Sequence, residues 1–66
     1  MNKNELLAEM KRKGFTYERM SRVLGISENA FWRKANDLND FTLPEIQTMI
    51  NELELDDAKM KAIFFN

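Results

Sequence analysis

Apolar residues recur along the chain three and four positions apart and nowhere alternate as in a half-buried strand. The pattern predicts an all-α chain of five helices. Leu6, Leu7 and Met10 mark the stripe of a first helix from about Asn4 to Lys13. Glu5 lies near its start and Lys11, Arg12 and Lys13 near its end, the polarity a helix dipole favours. Gly14 stops it. Thr16 caps a second helix, about Tyr17 to Leu24, with Met20, Val23 and Leu24 as its expected buried face. Ser27 caps a third, from Glu28 to Ala35 or Asn36. Phe31 and Ala35 face inward four apart, while Glu28, Asn29, Trp32, Arg33 and Asn36 fall on the other side. Asp37 to Phe41 is a loop by composition. Thr42-Leu43-Pro44-Glu45 is a capping box with Pro in the first turn, the clearest helix start in the chain. Ile46, Met49, Ile50 and Leu53 mark the fourth helix, and Asp56 caps a short fifth bearing Met60, Ile63 and Phe64.

The two short helices around Gly25 form a helix-turn-helix pattern over about residues 17–36. Gly25 takes a backbone conformation costly for other residues. Ile26 plugs the gap between the helices, Ser21 is small where they approach, and Phe31 fills the core below. The tetrapeptide Leu24-Gly25-Ile26-Ser27 alone is weak evidence; its agreement with the flanking positions is what makes the pattern specific.

Sixty-six residues allow a single domain, residues 1–66. A chain this short buries only about 60% of its unfolded surface, so packing, within the chain or against a second subunit, must stabilise it. There is no cysteine and no histidine. That removes disulfides, the commonest zinc ligands and the usual general base at neutral pH, so we expect no metal, no cofactor and no enzyme. The paired carboxylates Asp56-Asp57 and Asp37/Asp40 fit caps and loops better than catalysis. The methionines Met10, Met20, Met49 and Met60 are expected as core filler. No run approaches the roughly 20 apolar residues of a membrane helix, and the first residues lack the apolar stretch of a signal peptide; the expected compartment is cytoplasmic.

Net charge is −1, but it is unevenly spread. Residues 11–34 hold seven basic and two acidic side chains, giving +5; residues 35–66 hold two basic and seven acidic, giving −5. A basic middle beside an acidic end points to one surface for a polyanion and another kept away from it.

The stretch Thr16-Tyr17-Glu18-Arg19-Met20-Ser21-Arg22-Val23-Leu24-Gly25-Ile26-Ser27 resembles the Thr-Gln-Glu-x-Leu-Ala-x-x-Leu-Gly-Val-Ser segment of the Cro-type (XRE family) helix-turn-helix regulators. The similarity continues through Phe31, Arg33-Lys34 and Asn36. Phe41-Thr42-Leu43 and Glu45-Ile46 resemble the Phe-Thr-x-x-Glu-Ile that follows the recognition helix in small phage and prophage members. It covers roughly residues 4–65. The resemblance implies a five-helix, lambda-repressor-like domain that binds operator DNA, usually as a homodimer, to regulate transcription.

This chain departs from the family pattern at four places. Tyr17 stands where the family has a Gln that bonds a DNA phosphate; its hydroxyl offers one hydrogen bond instead. Ser21 replaces Ala. Lys34 stands where many members keep an apolar residue, so its stem is expected to cover the core while its amine reaches solvent. Asp37 replaces the Gly that commonly follows Asn36.

The candidate DNA-binding residues are Tyr17, Arg19, Arg22, Ser27, Glu28, Asn29, Trp32, Arg33, Lys34 and Asn36. Arg33 offers two donors to guanine O6 and N7, against the plain reading of a solvated arginine. Asn29 suits adenine or phosphate, or simply the polar start of a helix. Glu28 can accept from cytosine N4, or serve the helix dipole. Trp32 can pack on the sugar-phosphate wall, or against the loop carrying Phe41. Arg19, Arg22 and Lys34 suit phosphates better than bases. The alternative function is a protein-interaction module of antirepressor type, binding another regulator through the acidic C-terminal half. The apolar end, Ile63 to Phe65, is expected either to close the core or to form a homodimer.

Overall fold

The computed structural model describes residues 1–65, which form α1 (Lys3–Arg12), α2 (Tyr17–Leu24), α3 (Glu28–Ala35), α4 (Leu43–Glu52) and α5 (Asp57–Phe64). The described residues contain no strand. Every helix starts on a side-chain cap. Oxygens of Asn2, Thr16, Ser27, Thr42 and Asp56 accept from the backbone N–H of Glu5, Arg19, Ala30, Glu45 and Lys59. Each such cap is worth about 1 kcal/mol. The expected box at Thr42 is reciprocal, with the Thr42 N–H donating to Glu45 Oε1 at 2.8 Å. The cap at Asn2 was not expected; it starts α1 at Lys3, one residue before the pattern places it.

Four of the helices also end alike. A residue of positive φ follows each: Gly14, Gly25, Asp37 and Glu54. The next residue's N–H then reaches back to a carbonyl five positions earlier: Phe15 to Met10 at 2.7 Å, Ile26 to Ser21 at 3.0 Å, Leu38 to Arg33 at 2.9 Å, Leu55 to Ile50 at 3.0 Å. These are Schellman closures, which satisfy carbonyls the helix leaves open. In each, the residue after the turn is apolar.

The core comprises Leu6, Met10, Phe15, Met20, Phe31, Ala35, Met49, Leu53 and Ile63. Phe31 lies at its centre, fully buried, with the Tyr17 ring edge-on at 5.2 Å and the Phe41 ring at 5.6 Å. Phe15 belongs to this core although it lies in no helix, because the closure after α1 folds it inward. Val23 corrects the sequence reading: it is 38% exposed. Met20 and Ser21 take the buried positions of α2, and the Ser21 hydroxyl donates to the Glu18 carbonyl at 2.7 Å. The inward arc of α2 runs through Met20, Leu24, Tyr17 and Ser21, and at 100° per residue Val23 falls outside its edge.

The chain ends are clipped together. The Asn2 N–H donates to the Ile63 carbonyl at 2.7 Å, and Ile63 is fully buried, so the C-terminal helix closes the core. Between α1 and α5 lies a buried carboxylate, Glu9. The Arg12 guanidinium donates to it, and Lys59 Nζ stands 3.3 Å away. Burial pushes the Glu9 carboxyl up, but the hydrogen bonds and charges of Arg12 and Lys59 outweigh that and hold it below the usual glutamate value. Among the described residues, no helix is long and apolar enough to cross a membrane.

Candidate nucleic-acid interface

The turn between α2 and α3 follows from three local choices. Gly25 takes φ 73, a left-handed conformation that costs any residue with a Cβ about 1–2 kcal/mol. Ile26 turns back and packs against the core. Ser27 Oγ accepts the Ala30 N–H at 3.0 Å and restarts the helix. With Phe31 and Ala35 fully buried, the phase of α3 is settled: Glu28, Asn29, Trp32 and Arg33 are all exposed.

The two arginines of α2 are placed differently. Arg22 is exposed and, among the described residues, pairs only with Glu18 one turn back, at 3.2 Å. Such a pair is worth well under about 1 kcal/mol and readily gives up its cation. Arg19 is more constrained. Its Nη1 donates to the Gly14 carbonyl at 3.1 Å, and its guanidinium carbon lies 4.2 Å from the centre of the Phe15 ring. Tyr17 is half-buried, its ring used by Phe31.

The C-terminal turn of α3 is engaged within the molecule. Arg33 Nε donates to Asn39 Oδ1 at 2.9 Å, so this arginine leans toward the loop after α3. Lys34 corrects the sequence reading. Its amine does not reach solvent but lies 2.7 and 2.8 Å from the two oxygens of Glu45, with the side chains 16% and 12% exposed. Burial pushes the Glu45 carboxyl up; the Lys34 ammonium and the Thr42 N–H outweigh it and hold it below the usual value. A phosphate would have to compete with that carboxylate for the lysine. Asn36 is half-buried and also occupied, accepting from Lys3 Nζ at 2.7 Å and donating to the Trp32 carbonyl at 2.8 Å.

The structure therefore gathers Ser27, Glu28, Asn29, Trp32 and Arg33 on the exposed side of α3 and leaves Arg22 exposed on α2. It assigns Lys34 and Asn36 to internal links. Asn39, which orients Arg33, was missed by the sequence reading; it lies in an irregular loop, where no periodicity relates it to a helix. Compared with models of known protein families, with curated proteins and with solved structures, the chain matches none.

The outward side of α3 presents an amide that can donate and accept, a carboxylate that accepts, a guanidinium that donates and an indole that packs. Base edges in a major groove are read by this set of groups.

Proposed function

We propose that this protein binds double-stranded DNA as a small helix-turn-helix regulator of the XRE kind, with α3 lying in the major groove and no catalytic step of its own. Such a role places it in the cytoplasm. One observation carries the reading: α3 is buried along Phe31 and Ala35 and exposes Glu28, Asn29, Trp32 and Arg33 on its outer side, directly after a capped glycine turn. Eight helical residues span about 12 Å, a length that suits a groove about 12 Å wide. The excess of +5 over residues 11–34 supplies the attraction to phosphates.

Within this reading the roles divide by position. Asn29 and Glu28, in the first turn of α3, read base edges, because recognition helices enter the groove by their N-terminal residues. Ser27 keeps its hydroxyl proton for a phosphate while its oxygen caps the helix. Arg22 and Arg19 serve phosphates, Arg22 with less to give up. Trp32 packs on the sugar-phosphate wall.

The test is a titration of the parent chain, Asn29→Ala and Arg22→Ala against a selected and a scrambled duplex at two salt concentrations. Asn29→Ala should cost about 1–3 kcal/mol on the selected duplex and little on the scrambled one. Arg22→Ala should weaken both alike and lower the salt slope by about one. Equal losses for both variants on both duplexes would remove Asn29 as a reader. A parent that binds neither duplex at low salt would refute DNA binding. The protein-partner reading, supported by the −5 excess of residues 35–66, would then replace it.

A further inference from the structure

A cavity of about 320 Å³ opens between the α3–α4 connection, the first turn of α4 and the end of α5. That volume lies at the small end of the range for ligand sites, about 300–1,000 Å³. Phe41, Ile46 and Phe64, all half-buried, form its apolar lining. The carboxylates of Asp37 and Asp40 stand exposed beside them. These residues come from three separate segments, so no local pattern announces the site.

The charges around the cavity decide what it can hold. Lys34 also borders it, but the two oxygens of Glu45 occupy its ammonium. The Met1 amino group stands 3.9 Å from Asp37 Oδ1. Among the described residues, no cation pairs with Asp40. The unmatched charge at the cavity is therefore negative. Helix α3 ends one residue past Lys34 and α5 ends at Phe64, so the partial negative charges of two helix C-termini add to it. An anion is repelled from such a place, and a neutral apolar molecule leaves Asp40 unused. Aromatic rings beside a carboxylate suit an organic cation, which a ring face attracts as well.

We propose that this cavity binds a small protonated amine with an apolar body, its ammonium on Asp40 and its body against Phe41, Ile46 and Phe64. Asp37 contributes less, because the Met1 amino group already faces it. Asn39, whose oxygen holds Arg33, also borders the cavity. An occupant therefore touches the same loop that orients the C-terminal turn of α3. The site stands apart from the DNA reading: amine binding is measured without nucleic acid, and its failure leaves that reading untouched.

The experiment titrates the full chain at about pH 7, where an alkylamine is charged, and follows backbone amide shifts by NMR. The probes are phenethylammonium, phenylethanol and phenylacetate, which share a phenyl ring and differ in charge. Phenethylammonium should bind at about millimolar concentration, the affinity open to so small a ligand, and shift the amides of residues lining the cavity. The alcohol should bind at least about fivefold more weakly, and the carboxylate should not bind. Asp40→Asn should weaken phenethylammonium at least about fivefold and leave the alcohol unchanged. Asp37→Asn should weaken it less; asparagine accepts the positive φ of this position, so the fold is kept. Circular dichroism verifies that both variants fold. Equal affinity for the three probes overturns the proposal, as does an unchanged affinity in Asp40→Asn. A larger loss in Asp37→Asn than in Asp40→Asn removes Asp40 as the ammonium's partner. Shifts that follow the exposed acids Glu52, Glu54, Asp56 and Asp57 instead of the cavity reveal a diffuse attraction of charge and overturn it too. No shift at about 20 mM phenethylammonium, well above the expected affinity, refutes the site outright.

Discussion

The Lys34 ammonium lies within 2.8 Å of both carboxylate oxygens of Glu45, joining the last turn of α3 to the first turn of α4. Glu45 also accepts the Thr42 N–H that starts α4. One carboxylate thus fixes the beginning of one helix and the end of another. The outer side of α3 owes its direction to this link as well as to Phe31.

Lys34→Met should destabilise the fold by about 1–3 kcal/mol, because it strands a largely buried carboxylate. Urea unfolding of Lys34→Met, Glu45→Gln and the double variant measures the coupling, expected at about 0.5–3 kcal/mol. Glutamine at 45 can still complete the capping box, so the cycle isolates the charge. If the chain binds DNA as proposed, the salt slope of that binding should not change in Lys34→Met. A drop of about one unit would restore Lys34 as a phosphate contact.

Acid should unfold the protein through Glu9 and Glu45. Both carboxyls are held below their ordinary value of 4.5 in the folded state. The unfolded chain therefore takes up protons first as pH falls. The stability the two groups contribute is fully present above their ordinary value. It is lost as pH drops through the lower folded values. Glu9→Gln should lower stability at neutral pH and flatten this acid limb, measured by denaturant unfolding from pH 7 down to about 2. An acid limb unchanged in Glu9→Gln would show that Arg12 and Lys59 do not hold the charged form.

Phe31→Ala should cost about 3–5 kcal/mol, the range for removing a buried aromatic ring. A domain this small has a total of about 5 kcal/mol, so the variant should keep only about 0–2 kcal/mol and unfold on slight warming. Phe31→Leu keeps most of the volume and should fold with a lowered melting temperature. A melting temperature close to the parent's in Phe31→Ala would contradict the phase of α3.

The positive-φ positions predict opposite signs for two substitutions. A Cβ at Gly25 would meet no atom within 4 Å, so Gly25→Ala suffers from backbone strain alone, about 1 kcal/mol. Glu54 already carries that strain at φ 51, so Glu54→Gly should stabilise, by up to about 1 kcal/mol after the added freedom of the unfolded chain is counted. Thermal unfolding of both variants checks the pair. A destabilised Glu54→Gly would mean that the glutamate side chain contributes something its exposed position does not reveal.

The five helices, the caps at Thr16, Ser27, Thr42 and Asp56, the turn at Gly25 and the inward set of Phe31 and Ala35 were legible in the sequence. Each depends on residues within one or two helical turns of one another, where backbone geometry allows few alternatives. Tertiary contacts decided the rest. Glu9 reads as an ordinary surface acid until α5 brings Lys59 to it from 50 positions away. Phe15 reads as a linker residue until the closure after α1 folds it inward. Lys34 and Asn36 carry the chemistry of phosphate contacts, yet Glu45 and Lys3, 11 and 33 positions distant, occupy them. Val23 and Leu38 are apolar residues left outside because the few inward places of a 66-residue fold are already filled. A local pattern states what a side chain can do, but the neighbours supplied by distant segments decide whether it is free to do it.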